Sequence, residues 1–100
     1  MSQVTTHVLD TTTGSPAEAV TVVLESEQGV LATGTTDADG RVTELGPQRL
    51  QPGTYRLRFD TAARSTFFPE VTIAFVVEGA RHYHVPLLLG AFGYTTYRGS

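Results

Sequence analysis

The chain reads as an all-β sandwich, and three observations carry that reading. Turn signals recur about every 8–12 residues, the rhythm of packed antiparallel sheets. They fall at Thr13-Gly14-Ser15-Pro16, Glu27-Gln28-Gly29, Asp37-Ala38-Asp39-Gly40, Gln51-Pro52-Gly53, Glu78-Gly79 and Leu89-Gly90. The segments between them are short and either β-branched or alternating, as strands require. No window of about eleven residues carries a helical period.

The first strand runs from Thr5 to Asp10 and contains His7. Val20-Thr21-Val22-Val23-Leu24 and the segment from Gly29 to Thr36 follow, joined by a hairpin at Glu25-Ser26-Glu27-Gln28-Gly29. Asp37-Ala38-Asp39-Gly40 is a turn in which Gly40 supplies a positive φ. Thr54-Tyr55-Arg56-Leu57-Arg58-Phe59 alternates cleanly, so Tyr55, Leu57 and Phe59 point inward and the two arginines outward. Asp60 can cap a single turn over Thr61-Ala62-Ala63-Arg64, which is too short to persist without tertiary support. Val71 to Val77 is apolar on both faces, the pattern of a central or interface strand. In the last long segment Tyr83, Val85, Leu87 and Leu89 share a core face, which turns His82 and His84 the other way.

One hundred residues hold a single core and so one domain. The chain is 40% apolar and only 17% charged, which suits a surface partly buried between subunits. A chain of this size buries roughly 65% of its unfolded surface alone, so association would add stability. A net charge of -3 with no basic cluster argues against nucleic acid. All seven cations are arginine, which removes Schiff-base chemistry, and the absence of cysteine removes disulfides, thiolate nucleophiles and cysteine metal sites. Neither a secretory signal nor an apolar run of about 20 residues is present, so the expectation is a soluble, cytoplasmic protein with no membrane partner.

The candidate chemistry gathers on few residues. His82-x-His84 fits an exposed strand face, a metal pair completed by His7, or general acid/base groups; no ligand spacing favours metal. Acid/base work needs only an imidazole titrating near neutral pH. Arg41, held by the preceding turn, is either a solvated edge arginine or a bidentate clamp for an anionic or carbonyl-rich substrate. Asp-x-Asp-Gly lacks the remaining ligands of a calcium loop. The end of the chain, Tyr97-Arg98-Gly99-Ser100, follows directly on an apolar strand and is composed to line a site, although Ser100 sits in no nucleophile elbow.

Three blocks together resemble the transthyretin-related 5-hydroxyisourate hydrolases of purine catabolism. They are Thr6-His7-Val8-Leu9-Asp10-Thr11-Thr12-Thr13-Gly14-Ser15-Pro16-Ala17, then Thr36-Asp37-Ala38-Asp39-Gly40-Arg41 with Pro52-Gly53-Thr54-Tyr55-Arg56-Leu57, and finally His82-Tyr83-His84-Val85-Pro86-Leu87-Leu88-Leu89 with Gly93 to Ser100. The terminal Tyr-Arg-Gly-Ser separates the hydrolases from the hormone-carrying transthyretins. The resemblance implies a single domain over 1–100, a transthyretin-like sandwich of two four-stranded sheets, and a homotetramer built as a dimer of dimers with sites between dimers. It implies hydrolytic opening of the 5-hydroxyisourate ring to 2-oxo-4-hydroxy-4-carboxy-5-ureidoimidazoline, with no metal and no cofactor. By the same resemblance the catalytic set is His7, Arg41, His84 and Ser100, with Tyr97, Arg98 and Gly99 joining His7 and Arg41 in substrate binding. His82 has no role in that pattern. The chain is shorter than the pattern between Phe59 and Pro69, where the usual short helix is expected to be reduced or absent. A transthyretin-like binding protein without catalysis is the competing expectation; a carbohydrate- or protein-binding module would expose aromatic clusters on a loop face.

Overall fold

The computed structural model describes residues 2–99 as ten strands in two layers. In chain order they are β1 (Val4–Asp10), β2 (Ser15–Pro16), β3 (Thr21–Ser26), β4 (Gly29–Thr35), β5 (Arg41–Val42), β6 (Gly53–Asp60), β7 (Glu70–Val77), β8 (Tyr83–His84), β9 (Leu87–Leu89) and β10 (Tyr94–Thr96). One sheet has the order β4-β3-β6-β7. The other follows β10-β9-β1-β2, and the two-residue strands β5 and β8 also pair with β1, which brings it to six. The expected sandwich of two sheets is therefore present, its first layer being a four-strand path with two short additions.

Period-2 patterning places the core. In β6, Tyr55, Leu57 and Phe59 are buried while Arg56 and Arg58 are half-exposed. From the facing sheet Val4 and Val8 of β1, Tyr83 of β8 and Leu87 of β9 close the layer. Phe59, Leu57 and Leu24 are completely buried, so the centre of the sandwich is aliphatic with one phenyl ring. Each such side chain contributes about 1.5–3 kcal/mol by leaving water.

Pro86 has no N–H to give to a ladder, and it divides one long segment into β8 and β9. Both pieces still run parallel to β1 in an unchanged register, Thr5 opposite His84 and Val8 opposite Leu87. Pairing is maintained around the break by Val85 N–H to Thr5 O (3.0 Å) and by the Thr6 hydroxyl to Val85 O (2.6 Å).

No helix occurs among the described residues, in line with the shortened connection after Phe59. Only one turn is left over 62–64, capped by the Asp60 carboxylate on Ala62 N–H (3.2 Å) and closed by Ser65 N–H to Thr61 O (3.0 Å). The buried Thr61 hydroxyl donates to Phe68 O and fixes the return.

Of the two positions expected for Val71–Val77, central in a sheet or at an interface, the first is ruled out, because β7 is not central. It ends its sheet. Val71, Ile73 and Val77 face the core, whereas Ala74 and Val76 face outward and Val76 is 56% exposed. The apolar outer face that suggested two-sided burial is thus uncovered within one chain. β10 likewise ends the other sheet.

Candidate active site

The outer face of the β1 sheet collects the polar residues that the sequence singled out. Thr5 and His7 lie two apart on β1 and so project from the same face, opposite to buried Val4, Thr6 and Val8. His84 is the cross-strand partner of Thr5 on one side of β1, and Arg41 is the partner of His7 on the other. Paired residues share a face, so His84 of β8, Thr5 and His7 of β1 and Arg41 of β5 form a contiguous patch on one sheet face.

Arg41 is set by its turn. The Asp37 carboxylate accepts from Asp39 N–H (2.9 Å) and Arg41 N–H (3.0 Å), and Gly40 N–H closes the turn on Asp37 O at 2.9 Å. Gly40 has φ 76° and donates nothing in bulk: a Cβ there would run into the Val8 carbonyl and stand 3.1 Å from Pro16. Val8 N–H in turn donates to Gly40 O at 2.7 Å. Only glycine lets the Arg41 turn lie this tightly on β1.

His7 is held by the same turn. Its Nε2 is 2.8 Å from Asp39 O, and because a carbonyl only accepts, Nε2 carries the proton. In the neutral ring Nδ1 is therefore the free nitrogen.

His84 is half-buried and fixed from two directions. Its Nδ1 lies 2.8 Å from the Thr5 hydroxyl, and the same hydroxyl lies 2.8 Å from Nε2 of His82. From the other side Gly99 pairs with it, donating N–H to His84 O at 2.8 Å. Burial lowers the His84 pKa from its ordinary 6.5, and the positive charges of Arg41, His7 and His82 lower it further. These groups are thus within electrostatic reach of one ring, and that ring is biased to the neutral form at neutral pH.

A cleft of about 420 Å³ opens on the other flank of His84. Ile73, Phe75 and Val76 of the β7 edge form one wall; Thr96, Tyr97 and Arg98 form part of the other. His7 and Arg41 do not line it. The Arg98 guanidinium lies 5.6 Å from the centre of the Tyr83 ring, on the cleft side rather than over the His7–Arg41 pair. Tyr97 is 56% exposed at the cleft wall. Ser100 lies outside the described residues.

The structure therefore brings together His7, Arg41, His84 and Gly99, and adds two residues the sequence left without a role. His82 is bound to the cluster through Thr5, which sequence reasoning missed. The signal for Thr5 was present: it shares a strand face with His7 and precedes it by two. The Asp39 carbonyl could not have been found, because its partner depends on how the turn folds back on β1.

A model of the HIUase/Transthyretin family matches residues 4–99. The chain is similar to the 5-hydroxyisourate hydrolase of Salmonella dublin, with 46% identity over 106 residues that take in 94% of this chain and 78% of that protein. The chain is also similar to the 5-hydroxyisourate hydrolase of Mus musculus, 40% identical over 113 residues, covering 99% of this chain and 96% of the other. Among solved structures, Klebsiella pneumoniae 5-hydroxyisourate hydrolase superposes with a TM-score of 0.87 at 40% identity, over 97% of this chain and 98% of that one. Sea bream transthyretin in complex with thyroxine superposes with a TM-score of 0.85 at 34% identity, over 97% and 94% of the two chains.

Proposed function

The chain belongs to the HIUase/Transthyretin family, and from that premise we propose that it is a 5-hydroxyisourate hydrolase whose reacting groups are His84, His7 and Arg41. The observation that carries the proposal is the joint placement of these three side chains on one sheet face around a half-buried imidazole.

Hydrolysis of a cyclic amide-like C–N bond needs a base for water, a donor for the developing oxyanion and a proton for the leaving nitrogen. His84 suits the base. Its Nδ1 is engaged by Thr5, which leaves Nε2 for water, and its lowered pKa keeps the ring neutral near neutral pH, so that Nε2 is bare when Nδ1 carries the proton. In the forward step Nε2 takes a proton from water as the oxygen adds to the ring carbonyl. Arg41 supplies two parallel N–H groups to urate-like carbonyl or enolate oxygens and balances the charge on the tetrahedral centre. The C–N bond then breaks and the ring nitrogen takes up a proton, delivered by Nδ1–H of protonated His7 or returned by His84. The product is the ring-opened carboxylate. Gly99 leaves room for the His84 ring, and Tyr97 and Arg98 line the cleft beside it. No step draws on a metal or a cofactor.

Assembly into a homotetramer, a dimer of dimers, belongs to the same proposal. It is supported by two of the sheet edges, β7 and β10, which flank one cleft, and by outward-facing Val76, Tyr94 and Tyr97 along them. A single domain over 1–100 and a cytoplasmic location complete the reading; a fold without cysteine does not depend on an oxidising compartment. Among the described residues no helix is long and apolar enough to cross a membrane.

The test is the near-UV absorbance of freshly generated 5-hydroxyisourate. The hydrolase accelerates its decay in proportion to protein concentration, whereas a protein that only binds small molecules leaves the spontaneous rate unchanged.

A further inference from the structure

The Thr5 hydroxyl contacts two imidazole nitrogens, Nε2 of His82 and Nδ1 of His84, each at 2.8 Å. A hydroxyl owns one proton, so when both bonds are made it donates to one ring and accepts from the other. The protonation of the two facing nitrogens is therefore linked: one is bare and the other carries hydrogen. The direction of this chain decides what His84 presents at its free nitrogen. If His84 Nδ1–H donates to Thr5 and Thr5 donates to His82, Nε2 of neutral His84 is bare and basic. If the chain runs the other way, Nε2 carries hydrogen and cannot accept a proton from water.

We propose that Thr5 and His82 are positioning residues that fix His84 in its basic tautomer and relay its proton outward during turnover. The proposal rests on His84 being the base. The relay balances without any further reactant. His84 Nε2 takes a proton from water; its Nδ1 proton moves to Thr5 Oγ1; the original Thr5 hydroxyl proton moves to Nε2 of His82. His84 ends neutral with hydrogen on Nε2, Thr5 is a hydroxyl again, and His82, whose Nδ1 already bears hydrogen, holds the cation. The reverse sequence returns the proton for the leaving nitrogen.

Surroundings favour that transfer. A cation on half-buried His84 faces His7 from β1 and Arg41 from β5, besides His82 itself. Arg81 and Arg98 also line the cleft against His84, with Glu78 the one acidic residue there among the described residues. His82 is exposed, so water solvates its charge.

The experiment compares His82→Gln, Thr5→Val, Thr5→Ser and the His82→Gln/Thr5→Val pair with the native chain and with His84→Ala, measuring kcat and KM for 5-hydroxyisourate and imidazole 15N shifts. His82→Gln and Thr5→Val are each expected to lower kcat about tenfold with KM within about twofold. The double variant falls no further than either single one, and Thr5→Ser, which keeps the hydroxyl, retains most of the native kcat. The 15N spectrum shows Nδ1–H on neutral His84 in the native chain and loss of that preference in Thr5→Val. Native kcat in both His82→Gln and Thr5→Val, with His84→Ala inactive, overturns the relay and leaves the base in place. Equal damage from Thr5→Ser and Thr5→Val overturns it in favour of packing. Turnover surviving in His84→Ala removes the base, and the relay with it. Because His82 is exposed, its variant separates the relay from any folding defect at Thr5.

Discussion

Gly99 lies so close to the imidazole of His84 that a Cβ on it would stand 2.6 Å from Cδ2 and 3.0 Å from the His84 Cβ. The shorter contact is with a ring already fixed on its far side by Thr5, so the ring cannot retreat without losing that bond. The tail thus seats the imidazole. Gly99→Ala is expected to displace it by several tenths of an ångström and to lower kcat by about one to two orders of magnitude, since small misplacements of a reacting group are costly. Steady-state kinetics alongside solution mass and circular dichroism check this; native kcat in a folded Gly99→Ala protein contradicts it.

Removing the proposed base itself is the sharper perturbation. His84→Ala is expected to lose at least about a hundredfold in kcat, the lower end of what one acid/base group supplies. The backbone bond between Gly99 and residue 84 survives the change, so the fold, and with it the proposed tetramer, should persist in a mass measurement. Near-native turnover in this variant rules out the assigned role.

The lowered pKa of His84 gives the pH profile a direction. A base works in its unprotonated form, so the acid limb of kcat/KM is expected below pH 6.5, the ordinary imidazole value. After burial, Arg41 is the largest cause of the shift, so Arg41→Met should move whatever limb remains upward toward 6.5. Stability follows the same sign. The unfolded chain binds a proton at His84 more tightly than the folded one, so stability decreases as pH falls from about 6.5 through the folded pKa. Thermal melts between neutral and mildly acidic pH read this, and a melting temperature rising with acidity across that window contradicts it.

Packing makes a prediction independent of chemistry. Phe59 is completely buried in β6, between β3 and β7. Phe59→Ala should destabilise the fold by about 3–5 kcal/mol, as for other large-to-small core changes. Urea unfolding measures it, and a loss below about 1 kcal/mol means the core is not where the burial pattern puts it.

Assembly is tested at the β7 edge. Val76 faces outward with 56% of its surface exposed in one chain. Val76→Lys places a charge on that face and should shift the protein to smaller species in sedimentation without loss of β structure. An unchanged sedimentation coefficient removes β7 from any interface.

Much of this was legible in the sequence because strand periodicity is rigid. The alternation through Tyr55, Leu57 and Phe59 fixed the core face, and the alternation through Tyr83, Val85 and Leu87 turned His84 outward, as found. Gly40 was readable as a positive-φ residue because the turn around it has its own local chemistry. The failures are all long-range. That β7 ends its sheet depends on pairing order, which no local pattern encodes. The bond from Thr5 to two histidines nearly eighty residues away depends on a parallel register that only the folded pair of β1 and β8 defines.

The single turn over 62–64 lies at the end of β6, in the sheet that bears none of the three histidines. That turn meets the strand that carries Thr5 and His7 at its far end, where Arg64 pairs with the Asp10 carboxylate (3.4 Å), away from both residues. Chains of unequal length can thus keep one reaction centre, with trimming absorbed by a hinge-like margin remote from any transferred proton.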